Sequence, residues 1–156
     1  MIEAKVILTQ PTHGGRQFVA GTGSGHHLIL DDTEGGTGAK PIELVAVAIA
    51  GCTAFDVINI LRKKRQDVTG YEVRVEAEQA EAPPQVFTRV RIHHVVKGHA
   101  VDKRAVEEAI RLSEEKYCSV EAMVRKTAKF ESAYEIIAEE AGVHGATEAA
   151  TVPVGH

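Results

Sequence analysis

The sequence predicts one α+β domain, and the order of its segments is the main reason for this prediction. Segments in which apolar and polar residues alternate, the pattern of half-buried strands, lie in both halves of the chain. One long apolar helix stands between them, and further helical segments follow the second group of strands. This order lacks the regular alternation of a parallel βαβ fold. The 156 residues, 44% of them hydrophobic, are enough to build one core.

Residues 1–32 predict a three-stranded antiparallel meander. Ile2, Ala4, Val6 and Leu8 alternate with the residues between them, which is the period of a strand with one face toward a core. The second and third strands are predicted around RQFVA and HHLILDD, and the turns at PTHGG and GTGSG. The glycine-rich segment DDTEGGTGAKP then forms a loop that ends at Pro41, a suitable first residue for a helix.

Residues 40–65, KPIELVAVAIAGCTAFDVINILRKKR, predict a helix that ends near Lys64. Its apolar residues cover every direction at 100° per residue, which is typical of a helix buried on all sides. A helix of about 22 residues is roughly 33 Å long, and a chain of 156 residues has little material to surround it. We therefore expect a homodimer in which two subunits share this helix.

The second half of the chain predicts two strands, two helices and a last strand. The strands are GYEVRVEAEQ and QVFTRVRIHHVVKG, with a turn at EAPP. Asp102 is the predicted N-cap of a helix through KRAVEEAIRLSEEKY, and Ser119 that of a short helix, VEAMVRK. The strand AKFESAYEII is expected to end the regular structure. We place the domain at residues 1–138 and expect the tail, residues 139–156, to be mobile or to dock on a neighbour.

Charge and local pattern exclude several classes of function. A net charge of −4 does not favour a nucleic-acid partner. The N-terminus has no basic run before an apolar block, and no uninterrupted apolar stretch approaches the ~20 residues of a membrane span. We expect no membrane association and a cytoplasmic protein, in which the two cysteines are thiols at rest.

We also expect no cofactor and no metal. The GTGSG segment is followed by a predicted strand, where a phosphate loop would need the N-terminus of a helix. The histidine pairs at 26–27 and 93–94 lie on predicted strands, where neighbouring side chains point to opposite faces. This arrangement does not give the spacing of a zinc site.

Two segments carry a resemblance to a known family. PIELVAVAIAGCTAFDV and LSEEKYCSVEAM, with the order of elements around them and the spacing of the cysteines, resemble the OsmC/Ohr family of cysteine peroxidases. The likeness is greatest to its OsmC-like, YhfA-type branch and covers residues 1 to about 137. It implies an OsmC-like fold, with antiparallel sheets around long central helices in an intertwined homodimer. It also implies that Cys52 is the peroxidatic thiol and Cys118 the resolving one.

The implied reaction is the reduction of organic, and possibly inorganic, hydroperoxides in defence against oxidative stress. A thiolate attacks the peroxide, the resulting sulfenic acid on Cys52 condenses with Cys118 to a disulfide, and an external dithiol restores both thiols. A thiolate in apolar surroundings needs a nearby cation. In the better characterised branches this cation is an arginine of the N-terminal meander, which Arg16 in HGGRQF resembles.

The family's arginine is held by a glutamate near the start of the long helix, and the best candidate here is Glu43. In the peroxidases the acid directly follows the opening proline, a place that Ile42 occupies in this chain. Nine residues at 100° turn Glu43 half a revolution away from Cys52. Glu43 therefore serves either the other subunit's site, across the dimer interface, or the N-terminus of its own helix.

A second interpretation gives these residues no catalytic role. Buried cysteines often pack as small hydrophobes, and Arg16 could be a solvated charge at a turn. Asp56 follows Cys52 by four residues on the same helix face. A carboxylate there disfavours a thiolate unless it is paired, with Arg16, Arg62 or a backbone amide as the candidates. The alternative function is a dimeric redox-sensing or hydrophobic-ligand-binding protein of the same fold.

Overall fold

The computed structural model describes residues 1–9, 16–32 and 36–139, and the backbone of residues 147–151. The chain divides into two compact units, Met1–Val45 and Ala46–His156. Both contain a sheet, and helices complete the mixed α+β class that the sequence predicts. The predicted turn at residues 11–15 and most of the predicted tail lie outside the described residues.

The N-terminal unit contains the predicted meander. Strands β1 (Ala4–Leu8), β2 (Phe18–Thr22) and β3 (His27–Leu30) pair antiparallel in the order β1-β2-β3. Every residue of β1 is exposed, so this strand has no buried face. The alternation of apolar and polar residues predicts one face toward a core. Within its own unit the sheet thus leaves apolar side chains uncovered, among them Val6 and Ile7.

The long helix, α1, spans Pro41–Lys63 and ends one residue before the predicted end. Its buried residues in the single chain are spaced by four, so they form one stripe along the helix: Ile49, Thr53, Val57 and Leu61. Val47 and Phe55 are 64% and 77% exposed. Within the described residues of a single chain, the helix is therefore buried on one face and not on all sides as predicted. Much of its remaining surface has nothing packed on it.

Helix α1 is the one described helix that is long and apolar enough to cross a membrane, although Glu43 and Asp56 interrupt its apolar residues. Its mean hydropathy reaches 2.1 over an 18-residue window, enough for a span by length and composition. The core helix of a soluble protein meets the same criterion. The buried stripe shows that one face of α1 packs against protein.

The second unit is built on a four-stranded sheet of order β4-β5-β6-β7. The chain passes through β4 (Asp67–Gln79), β5 (Phe87–His99), α2 (Lys103–Leu112), α3 (Ser119–Val124), β6 (Lys129–Ala138) and β7 (Thr147–Thr151). One pair differs from the antiparallel sheets that the family resemblance implies, since β5 and β6 run parallel. Two helices between them return the chain to the end of the sheet where β5 begins. Strand β7, which pairs antiparallel with β6, was not predicted.

Helix α1 packs against α2 and the sheet of the second unit. The buried cluster contains Val57, Leu61, Val96, Ala105, Val106, Ala109, Ile110 and Tyr134. Asp102 is the N-cap of α2, as predicted, and accepts a hydrogen bond of 3.0 Å from the Arg104 N–H. This helix stops at Leu112, and a π-helical turn, Ser113–Tyr117, takes the place of its predicted last residues.

Candidate active site

The two cysteines, which are 66 residues apart in the sequence, meet in the second unit. Cys52 is half-buried in the middle of α1, and Cys118 is 3% exposed immediately before α3. Their sulfur atoms lie within 4.8 Å of each other, and both are free thiols. A disulfide has an S–S distance of about 2.0 Å, so the sulfurs must approach by less than about 3 Å. The pair is therefore within reach of disulfide formation.

The π-helical turn and the cap of α3 place the Cys118 sulfur. The Cys118 N–H donates to the Ser113 carbonyl, 2.8 Å away, which closes the turn. The sulfur then accepts a hydrogen bond of 3.4 Å from the Glu121 N–H. The predicted cap at Ser119 is wrong, because Cys118 itself caps α3. Such turns are frequent at functional sites, and this one coincides with the second cysteine.

Asp56 lies on the same face of α1 as Cys52, as the helical spacing predicts. One of its carboxylate oxygens is within 4.8 Å of both sulfurs. Ser113 Oγ is 3.1 Å from Asp56 Oδ2 and 3.1 Å from Thr53 Oγ1. Since a carboxylate only accepts, Ser113 donates to Asp56 and can accept from Thr53. Among the described residues, Asp56 is thus hydrogen-bonded to Ser113, which is not one of its predicted partners.

The surroundings of Cys118 favour its protonated form. Burial raises the pKa of the Cys118 thiol, and a hydrogen bond to Cys52 and the nearby Glu121 raise it further. The Glu121 N–H acts in the opposite direction. A thiol that stays protonated is a poor nucleophile toward peroxide. Of the two sulfurs, Cys52 is also the more exposed, so the geometry favours Cys52 as the first to react.

A buried ionic network that was not predicted lies beside Cys118. Glu121 is fully buried, and burial raises the pKa of its carboxyl. Arg125 donates to Glu121 at 3.0 Å, lies 3.8 Å from Glu114, and stacks 4.6 Å above the Phe130 ring. Ser132 donates to Glu114. The four-residue spacing of Glu121 and Arg125 could have suggested their pairing, whereas Glu114 and Ser132 join only through the fold.

Arg16 and Glu43 belong to the N-terminal unit. Arg16 Nε donates to Asp32 Oδ2 at 3.0 Å, and the Arg16 side chain is 76% exposed. It borders a pocket of about 650 Å³ whose apolar lining includes Phe18 and Leu30. Glu43 accepts a hydrogen bond of 2.8 Å from the Lys40 N–H, and so stabilises the start of its own helix. A role for either residue in activating Cys52 stays a prediction.

Comparisons with known proteins agree with the resemblance seen in the sequence. The family model described as OsmC-like protein matches residues 33–133. Protein YhfA of Escherichia coli K12 is 40% identical over 124 residues, which cover 80% of this chain and 92% of YhfA.

Two solved structures have a similar fold over most of this chain. A hypothetical protein from Aquifex aeolicus has a TM-score of 0.79 at 31% identity and covers 90% of this chain and 98% of its own. An organic hydroperoxide resistance protein, OsmC, from Legionella pneumophila has a TM-score of 0.63 at 19% identity, with 86% and 96% covered, a likeness of fold alone. By the family match and the identity to YhfA, this chain belongs to the OsmC-like family.

Proposed function

We propose that this protein is a cysteine-based reductase of organic hydroperoxides. The observation that carries the proposal is the approach of the Cys52 and Cys118 sulfurs to within 4.8 Å. The hydroperoxide resistance proteins among its structural neighbours support the same chemistry. The proposal further assigns a homodimer, a cytoplasmic location and an external dithiol as the reductant.

The proposed cycle has three steps, which are oxidation of Cys52, disulfide formation with Cys118 and reduction by a dithiol. The Cys52 thiolate attacks one peroxide oxygen, the O–O bond breaks, and the alkoxide takes a proton to leave as an alcohol. Cys52 is now a sulfenic acid. The Cys118 thiol loses its proton and attacks the Cys52 sulfur, and hydroxide leaves as water. An external dithiol then reduces the disulfide by two thiol–disulfide exchanges.

The different environments of the two sulfurs support this division of roles. Cys52 is half-buried in the middle of a helix and is the sulfur that a peroxide can reach more easily. Cys118 is buried with its sulfur within 4.8 Å of the Cys52 sulfur, so it is placed to attack a sulfenic acid formed there. Arg16 is proposed as the cation that favours the Cys52 thiolate. Glu43 is proposed as the acid that holds the arginine, and it would do so at the site of the partner subunit.

The test follows consumption of tert-butyl hydroperoxide, with dithiothreitol as the dithiol, and free thiols after one equivalent of peroxide. Wild type is expected to lose two thiols per chain promptly and to turn over. Cys52→Ser should lose roughly a hundredfold or more of the rate, because it removes the nucleophile. Cys118→Ser should still form a sulfenic acid, detectable with dimedone, but no intramolecular disulfide. Wild-type activity in Cys52→Ser would overturn the proposal.

One observation favours the alternative, a protein that binds a hydrophobic ligand. The pocket of about 650 Å³ in the N-terminal unit has the size of a small-molecule site and an apolar lining. In that case the cysteines would be inert or oxidise slowly. The thiol titration distinguishes the two functions, since prompt loss of both thiols excludes inert cysteines.

A further inference from the structure

The ligand atoms of Cys52, Asp56 and Cys118 form a compact cluster of metal-binding type. The two sulfurs and a carboxylate oxygen all lie within 4.8 Å of one another. We propose that these three residues bind a thiophilic divalent cation such as Zn²⁺, with both sulfurs as thiolates and Asp56 as the third ligand. The inference is independent of the proposed peroxidase function, because binding requires only two thiols and one carboxylate.

The separations suit tetrahedral coordination after small side-chain movements. With Zn–S distances of about 2.3 Å and Zn–O distances of about 2.1 Å, neighbouring ligand atoms lie about 3.4–3.8 Å apart. The observed limit of 4.8 Å exceeds this by about 1 Å. Cys52 and Asp56 are one turn apart on a continuous helix, which fixes two ligands on one rigid element. Three protein ligands leave the fourth position for water or another small donor.

Hydrogen bonds already orient two of the three ligands. Ser113 donates to Asp56 Oδ2 at 3.1 Å and so holds the carboxylate in place. The Glu121 N–H holds the Cys118 sulfur. Such outer contacts fix the geometry of metal ligands and affect affinity by roughly 10- to 100-fold. The cluster is therefore arranged before any ion binds.

The charge balance also favours a cation. A bound cation displaces the protons of both thiols. The two thiolates and the Asp56 carboxylate then carry three negative charges, and a divalent ion leaves a net charge of −1. Among the described residues, no Lys or Arg side chain forms a hydrogen bond or salt bridge with Asp56 or with either sulfur. Arg125, the nearby guanidinium, is paired with Glu121 and Glu114. A metal ion would supply the positive charge that these neighbours do not.

The expectation of no metal considered only the histidines, and this cluster could not be seen in the sequence. Its ligands come from α1 and from the residue before α3, so only folding brings them together. The same two sulfurs would form the disulfide of the proposed catalytic cycle. A bound cation and that disulfide therefore exclude each other.

The test titrates reduced, full-length protein with Cd²⁺ and follows the ultraviolet charge-transfer band of cadmium thiolates. We expect saturation at one ion per chain, and competition by Zn²⁺ with a chromophoric chelator gives the zinc affinity. Cys52→Ser and Cys118→Ser should each weaken binding roughly a hundredfold or more, and Asp56→Asn about tenfold or more. Circular dichroism and urea unfolding of each variant check that the fold is kept.

Two controls make the result specific. Asp102→Asn makes the same chemical change at the N-cap of α2, where asparagine caps equally well, and should bind like wild type. Protein alkylated with iodoacetamide should show no band. Absence of the band in wild type, unchanged affinity in a folded Asp56→Asn, or retained one-to-one binding in the double cysteine variant would each overturn the proposal.

Discussion

His94 is a buried titratable residue outside the candidate site, and its neighbours define its protonation. It is fully buried on β5, with Nδ1 2.7 Å from the Tyr71 hydroxyl. Burial raises the pKa of Tyr71, so the hydroxyl stays protonated and donates to Nδ1. The ring proton is then on Nε2, which has no hydrogen-bond partner among the described residues. Burial, with a smaller effect of His93, lowers the pKa of His94 to about 4.

This histidine should make folding stability depend on pH. Below its unfolded pKa of 6.5 the unfolded chain takes up a proton that the folded chain does not accept until about pH 4. Stability therefore falls as pH falls through this window, by roughly 1 kcal/mol between pH 7.5 and 5.5. His94→Gln should lose this part of the pH dependence. Urea unfolding of both proteins at the two pH values measures it.

The matched control is His27→Gln, which removes an exposed histidine from β3. It should keep the pH dependence of wild type. If His94→Gln and wild type lose the same free energy of unfolding between the two pH values, His94 is not buried in its neutral form.

Single residues also show what the sequence could and could not predict at the site. The position of Asp56 on the Cys52 face of α1 follows from helical spacing alone, and the structure confirms it. Its partner Ser113 is 57 residues away in the sequence, and no local pattern connects the two. The approach of Cys118 to Cys52 was implied only by the family resemblance.

At the scale of elements, the cap of α3 links fold and chemistry. Cys118 is both the candidate resolving thiol and the N-cap whose sulfur accepts the Glu121 N–H. A serine oxygen is a better cap than sulfur, and an alanine cannot cap. The same residue therefore contributes to the stability of α3 through the atom that would form the disulfide.

Replacing Cys118 should reveal this capping contribution. We expect Cys118→Ser to be more stable than Cys118→Ala by about 1 kcal/mol, because only serine keeps an acceptor for the Glu121 N–H. Urea unfolding of the reduced proteins measures the difference. At Cys52, inside α1, the order should reverse, since alanine has the higher helix propensity. Equal stability of the two Cys118 variants would show that the cap contributes nothing.

The ends of α1 and the cap of α2, which depend on residues close in the sequence, agree with the predictions. The pairing of β5 with β6, which depends on residues far apart in the sequence, does not. Pro41 and the basic residues after Leu61 mark the ends of α1 in the sequence, and the predicted end is within one residue. Asp102 was correctly identified as a cap from its own residue type. The parallel pairing of β5 with β6 depends on where the intervening helices return the chain, which no pattern within either strand encodes.

At the scale of the whole molecule, the uncovered face of α1 is the feature from which we predict a partner. Val47, Gly51 and Phe55 are spaced by four residues and form a second stripe on the helix. Val47 and Phe55 are among the most exposed large apolar residues in the described chain. A Cβ built at Gly51 would meet no atom of the described residues within 4 Å, the backbone of its own helix aside. A glycine between two exposed apolar residues suits close packing of another helix, and a second copy of α1 is the expected occupant.

We therefore predict a dimer that depends on this stripe. Phe55→Glu places a charge in the expected helix contact and should shift the protein toward monomers, because burying an unpaired carboxylate is costly. Sedimentation velocity at micromolar concentration should give the mass of two chains for wild type. Met123→Glu, at a residue that is 65% exposed outside α1, is the matched control and should stay dimeric.

The substitution Gly51→Ala tests the expected helix–helix contact independently. In an isolated chain it should raise the free energy of unfolding by up to about 1 kcal/mol, since alanine favours the helix and its Cβ would meet no described residue outside the helix within 4 Å. If a partner helix crosses at Gly51, the added methyl instead separates the two helices and raises the dissociation constant of the dimer. A monomeric wild type, or a Phe55→Glu variant as dimeric as wild type, would contradict the shared helix. Since no described residue outside the helix lies within 4 Å of this Cβ, an unfavourable effect of Gly51→Ala supports a helix of a second subunit packed on α1.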